Sequence, residues 1–342
     1  MKLLQMLWLS LPLFATQVEA HINIEQITGN TMGTTYTIQL RLEDSNATKS
    51  EIKTSVEQEL ERVNDALSVF RVDSEISTLN ENETGVALPV SKYLWDVLKI
   101  AQAISAQTDG ALDVTLGPVI EFWGFGVKPR DLQHKDRGQL EYARSKTGMN
   151  GFSLDAGTLT KVIAGLQINP SAVAKGYGVD RIAEVLDKAG VSHYLVEIGG
   201  EVKTRGVGAR GLNWKVAVTR PQKLSLEFQR VFTLKDFSMA TSGSYVNYFE
   251  SNDQHLSHIF NPNTGMPIWS DLLSVTVLHE SCAVADAFAT SMMVLTVERS
   301  LQIANKLVLP VMIIEQTDSG QDIHYSESIY QYMYQTGQKD GI

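Results

Sequence analysis

The sequence predicts an α+β fold of largely antiparallel sheets with packed helices, and three observations predict it. Strand-like runs outnumber helical ones and often follow one another directly, where a doubly wound parallel sheet would interpose a helix each time. Neither the Walker pattern nor the dinucleotide Gly-x-Gly-x-x-Gly fingerprint occurs, which disfavours the parallel nucleotide-binding folds. The composition, 43% hydrophobic and 20% charged over 342 residues, is that of a globular chain able to bury a substantial core.

The first 20 residues read as a leader. Lys2 opens a mostly apolar stretch, Leu3 to Phe14, that is too short to span a bilayer, and Val18-Glu19-Ala20 supplies small or moderate residues at the cleavage positions. A secretory signal peptide cut after Ala20 is expected, with residues 21–342 forming one domain or two intimately joined lobes. Pro12 argues against the alternative, a buried N-terminal helix. No Cys lies near the cut, so a freely diffusing periplasmic protein without a lipid anchor is expected. No later stretch approaches 18 apolar residues. Cys282 is the only cysteine, which rules out an intrachain disulfide; it lacks a visible activating partner and reads as structural.

Along the chain, Tyr36, Ile38, Leu40 and Leu42 alternate with Thr37, Gln39 and Arg41, the pattern of a half-buried strand from Thr35 to Leu42. Thr48-Lys49-Ser50-Glu51 is a capping box, and Ile52, Val56, Leu60, Val63 and Leu67 follow at helical spacing. A second helix runs from Ser91 through Leu94, Val97, Leu98, Ala101 and Ile104 until Gly110 stops it. Residues 128–150 are polar and weakly patterned, a surface excursion ending in one short helix. Strands at 152–155 and 158–163 precede a helix from Ser171 to Ala189, which Gly190 terminates. Further strands are expected at 193–198, 202–206, 214–219, 229–234 and 273–279. A last helix begins near Glu280 and carries Ala283, Ala287, Val294 and Leu295; strands around Val311 to Glu315 and near Tyr325 to Tyr334 close the chain.

With 29 Lys and Arg against 39 Asp and Glu, the net charge is −10, which argues against a nucleic-acid binder. Asp286 and Thr290 stand at i and i+4 on the predicted last helix, so a carboxylate and a hydroxyl share one face among Ala residues. Two hard oxygens make part of an Mg²⁺ site. The same spacing also suits a helical Asp bonded to a neighbouring hydroxyl. His258 ends a strand before an Asn261-Pro262 turn and Thr264-Gly265, where an imidazole can act as a general base or remain an ordinary hydrogen-bonded residue. Three loops rich in Gly and hydroxyls, Gly29 to Thr35, Asp109 to Thr115 and Thr241 to Ser244, suit backbone approach to phosphate and equally suit plain turns.

Taken in order, nine segments carry a resemblance from about Ile27 to Glu315. They are Thr31-Met32-Gly33-Thr34; Ser74-Glu75-Ile76-Ser77 with Asn80; Asp109 through Pro118; Trp123-Gly124-Phe125-Gly126; Ala174-Lys175-Gly176-Tyr177 with Asp180; Glu197-Ile198-Gly199-Gly200; Ala240-Thr241-Ser242-Gly243; His258-Ile259-Phe260-Asn261-Pro262 with Thr264-Gly265; and Ala285-Asp286-Ala287 with Ala289-Thr290. The chain resembles the ApbE family of FAD:protein FMN transferases, which implies an ApbE-like (T-fold-like) architecture. The implied reaction is attack by a Thr or Ser hydroxyl of an acceptor protein on the FAD pyrophosphate. AMP leaves, and FMN stays attached through a phosphoester.

The resemblance implies a role for each motif residue. Asp286 and Thr290, with the backbone carbonyl of Ala172, would ligate Mg²⁺, with Mn²⁺ as the other candidate; His258 would take the acceptor hydroxyl's proton, for which an unperturbed pKa of ~6.5 is well placed. Met32, Phe70, Ala111, Leu112, Asp113, Asn169, Lys175 and the backbone around Phe260 would contact FAD. The implied acceptors are exported or membrane-attached flavoprotein subunits of respiratory redox complexes. A periplasmic FAD pyrophosphatase giving FMN and AMP is the second reading, with an aromatic Phe70 favouring retention of FAD, and a non-catalytic flavin-binding protein is the third. The sequence departs from the family pattern at Asn169 and Asn261, where Asp is usual.

Overall fold

The computed structural model describes residues 23–127, 136–219, 228–244, 248–251, 254–268 and 271–337. The expected leader, residues 1–20, lies outside the described residues, as does the 128–135 part of the surface excursion. The chain opens on a hairpin, β1 (Glu25–Thr31) and β2 (Thr34–Leu40), then helices α1 (Lys49–Leu67) and α2 (Glu75–Glu81), strand β3 (Ala87–Pro89) and helix α3 (Lys92–Gln107). Helices α4 (Gly117–Trp123) and α5 (Arg137–Arg144) lead to strands β4 (Phe152–Asp155) and β5 (Thr158–Lys161) and the long α6 (Ser171–Lys188). Seven strands follow: β6 (Tyr194–Ile198), β7 (Glu201–Arg205), β8 (Trp214–Thr219), β9 (Phe228–Leu234), β10 (Ser238–Gly243), β11 (Tyr248–Ser251) and β12 (Gln254–Ser257). The chain ends through β13 (Leu272–His279), α7 (Cys282–Met292), α8 (Val297–Lys306), β14 (Val311–Thr317), β15 (Gly320–Tyr325) and α9 (Glu327–Gln335).

Eight strands form the main sheet in the order β1-β2-β6-β7-β10-β13-β14-β15, and every neighbouring pair is antiparallel. The α+β expectation therefore holds in a specific form: a meander interrupted by excursions of helices and of smaller separate sheets. Alternation along the strands decides which layer covers which face. Ala240, Val275, Val277, Val311 and Ile313 face the core shared with α3 and α7. Met239, Met312 and Ile314 face the other way, against Phe232 and Leu234 of β9 and Ile329 and Met333 of α9. A third cluster packs β1, β2 and β6 against α1 and α6.

The segment from Tyr325 to Tyr334 corrects an expectation. Beyond Tyr325, which ends β15, it is helix, not strand: α9 starts after Ser326 and buries Ile329, Tyr332 and Met333. Their i, i+3, i+4 spacing is helical, and aromatic richness obscured it. The helix near Glu280 is not the last, since α8 and α9 follow; it ends at Met292, leaving Val294 and Leu295 in the turn beyond. The capping box at Thr48 forms as read, with both reciprocal hydrogen bonds present.

Helix α7 is buried on nearly every side, from Cys282 and Ala283 to Ala289 and Met292. Its small residues let α6 approach closely; a Cβ on Gly176 would stand 2.3 Å from the Cys282 carbonyl oxygen. Asp180 on α6 satisfies the start of α7, accepting from Ser281 Oγ at 2.8 Å and from the N–H groups of Cys282 at 3.1 Å and Ala283 at 3.0 Å. The two N–H groups are among the orphan donors that every helix N-terminus exposes. Cys282 is buried and its thiol is pushed well above the usual range, first by burial, which fits a structural role.

Candidate active site

Two cavities meet at Ser171 and Lys175 on the first turns of α6. The smaller, about 340 Å³, is lined by Ala111, Leu112, Asp113, Asn169, Ala172, His258, Phe260, Asp286 and Thr290 among others. The larger, about 970 Å³, is lined by Met32, Phe70 and the β1–β2 turn, with α1 along one side. Every site residue singled out in the sequence therefore borders one of the two spaces, although these residues come from six separate stretches of chain.

Asp286 is buried on α7, and its Oδ2 accepts the backbone N–H of Gly176 at 3.0 Å. Ala172, one helical turn before Gly176 on α6, lines the same cavity as Asp286. One turn along, Thr290 Oγ1 lies 3.1 Å from Ser242 Oγ of β10 and lines the same cavity. Burial pushes the Asp286 carboxyl up to about 6, against the opposing pull of the Lys175 ammonium and the Gly176 N–H. A desolvated acid beside a hydroxyl and a main-chain carbonyl is an all-oxygen donor set that suits a hard divalent cation. Among the described residues no group of three or more His, Cys, Asp or Glu could hold a metal. A centre at Asp286 would thus take one carboxylate and leave positions for water or phosphate.

Gly176 makes this junction. Gly176→Ala is expected to force α6 and α7 apart, costing about 1–3 kcal/mol through overpacking, and to weaken Mn²⁺ binding in the same variant. Thermal unfolding together with Mn²⁺ titration checks it; wild-type values in both would show that the helices have room for a methyl group.

Lys175 lines both cavities and ion-pairs with Glu201 Oε1 at 2.7 Å. Glu201 is buried at the start of β7, directly after the Gly199-Gly200 turn, and its Oε2 has no hydrogen-bond partner among the described residues. Burial and the nearby Asp286 charge both raise its carboxyl, with Lys175 opposing. Sequence reading missed Glu201, because nothing in Gly199-Gly200-Glu201 marks a strand residue turned inward under a lysine.

Asp113 accepts from Thr115 N at 2.7 Å and Thr115 Oγ1 at 2.5 Å, and burial raises its carboxyl. Asn169 Oδ1 accepts from Ser171 N at 3.1 Å and Ser171 Oγ at 2.6 Å. Asn in place of Asp keeps this turn at the start of α6 and removes a charge. Asn80 holds the loop just ahead of Asn169, donating to Ile168 O at 2.9 Å and accepting from Ile168 N at 2.7 Å. Met32 and Gly33 form a two-residue hairpin turn in which both φ are positive, 49° and 72°, as a type I′ turn demands. Phe70 is 65% exposed at the rim of the larger cavity, where its ring is available for stacking. The Phe260 ring instead turns into a small apolar cluster, edge-on to Phe125 at 5.6 Å. His258 is half-buried, immediately after β12, and faces the smaller cavity with Asp286 and Thr290.

A carboxylate and a hydroxyl a helical turn apart, a lysine and an imidazole around one cleft suit phosphoryl-transfer chemistry. The chain belongs to the ApbE family, whose model matches residues 32–313. It is 38% identical over 308 residues to an FAD:protein FMN transferase of Vibrio cholerae, covering 90% of this chain and 92% of that one. A protein of the same name from Haemophilus influenzae is 36% identical over 320 residues, covering 91% and 92%. The solved flavin transferase ApbE from Vibrio cholerae superimposes with a TM-score of 0.85 at 36% identity, over 90% of this chain and 99% of that one. The apo Pseudomonas stutzeri flavinyl transferase ApbE gives 0.83 at 31% identity, covering 94% and 98%. These structures share the mixed helix and antiparallel-sheet fold.

Proposed function

We propose that this chain is an enzyme that transfers the FMN moiety of FAD to a Thr or Ser hydroxyl of an acceptor protein, releasing AMP. The observation that carries the reading is the convergence of Asp286, Thr290, Ala172, Lys175 and His258 on one cavity. High-coverage relatives bearing the name FAD:protein FMN transferase support it.

The residues divide the work by position. Asp286, Thr290 and the Ala172 carbonyl would hold Mg²⁺, or Mn²⁺, which when bound neutralises charge on the diphosphate. Lys175 supplies a fixed ammonium at the junction of the two cavities. The larger cavity offers Phe70 and Met32 to a ring system, and the smaller offers the Ala111-Leu112-Asp113 loop. His258 takes the acceptor hydroxyl's proton as its oxygen attacks phosphorus, and the bond to the AMP phosphate oxygen breaks. We further propose export of the chain through a leader cut after Ala20, with acceptors among flavoprotein subunits of respiratory redox complexes. Among the described residues no helix is long and apolar enough to cross a membrane.

The test mixes protein, FAD, Mg²⁺ and a candidate acceptor, followed by denaturing electrophoresis and intact mass. A fluorescent acceptor heavier by one FMN is expected. Free FMN and AMP with an unmodified acceptor would favour the FAD pyrophosphatase instead.

A further inference from the structure

The backbone after His258 is held from its far end. Ile268 N donates to Ile259 O at 2.9 Å, Asn261 N donates to Met266 O at 2.9 Å, and Phe260 pairs antiparallel with Pro267. Asn261 O closes the turn by accepting from Gly265 N at 2.8 Å. The result is a small hairpin whose first strand starts beside the imidazole. On its other side, β12 pairs among the described residues only with β11 in a two-stranded sheet, a unit too small to be rigid by itself.

The tip of the hairpin is gripped by two helices outside the main core. Trp123, the last residue of α4, donates its indole Nε1–H to Gly265 O at 2.7 Å. Arg144, the last residue of α5, donates to Asn263 O and packs its methylenes where a Cβ on Gly265 would lie 2.7 Å from Arg144 Cδ. The Phe260 ring joins Leu116, Val119 and Ala143 in an apolar cluster separate from the three larger cores. Helix α4 and the residue before it also supply Ile120 and Leu116 to the cavity wall.

We propose that Trp123 and Arg144 are positioning residues for His258, tying its hairpin to α4, which lines the adjoining cavity wall, and to the α5 packed against it. A general base works only within hydrogen-bond reach of the proton it takes, and a displacement of ~1 Å costs about 10²-fold in rate. Residues 128–150 read from sequence as an excursion without function; Arg144 gives the end of that segment one. The inference rests on the transferase reading.

Trp123→Phe keeps a ring in the cluster and deletes the indole donor. The expected result is a fall in kcat for FMN transfer of about ten-fold or more, with FAD affinity within about two-fold of wild type. Amide exchange at Thr264 and Gly265, which both donate to Asn261 O, should become faster. Arg144→Gln should show the same split. Wild-type kcat in both variants despite faster exchange, or FAD affinity falling in step with kcat, would overturn the assignment. Failure of the transferase reading looks different, because the wild-type protein would then modify no acceptor.

Discussion

Replacing Asp286 with Ala is expected to abolish metal-dependent FMN transfer, a loss of about three orders of magnitude or more, while the protein stays folded. The acid is buried and its carboxyl is raised to about 6 by desolvation. A group whose folded pKa lies above its unfolded value binds protons more tightly in the native state, so its ionised form opposes folding at neutral pH. Ala removes that cost and gives up the Gly176 hydrogen bond, so the thermal midpoint should stay close to wild type or rise. Asp286→Asn keeps the shape and loses the charge, and should be nearly as inactive. Differential scanning calorimetry and the transfer assay on the same preparations check this. An inactive variant that has also unfolded would point to scaffolding, and an active one would remove the cation from the account.

His258→Ala should cut transfer by about 10² to 10⁴-fold, the usual worth of a positioned general base, with FAD binding unchanged. Its place beside the cavity, away from Met32 and Phe70, is the reason for the split. Fluorescence titration of FAD and single-turnover transfer, measured together, test it. Transfer at the wild-type rate would take the base away from His258, whereas lost FAD binding would make it a binding residue.

Part of this site was legible from residues alone. The Asp286 and Thr290 pairing follows from helical periodicity, which fixes i and i+4 on one face whatever surrounds them. What periodicity does not reveal is the partner: that Gly176 N–H meets Asp286 depends on how closely α6 approaches α7, a long-range packing fact. The capping box at Thr48 and the strand through Tyr36, Ile38 and Leu40 were readable because local chemistry decides them. The meander of the main sheet was not, since neighbours such as β2 and β6 are separated by residues 41–193, which include helices α1 to α6 and a separate three-stranded sheet. Tyr325 to Tyr334 shows composition misleading where spacing would have served. Glu201 and Trp123 acquire meaning only from residues far along the chain, Lys175 and Gly265.

The most direct test is anomalous diffraction at the manganese edge from crystals grown with FAD and Mn²⁺. A peak within coordination distance of the Asp286 carboxylate and Thr290 Oγ1, in contact with the FAD diphosphate, is the predicted result. Manganese bound elsewhere, or a diphosphate lying away from that pair, would contradict it.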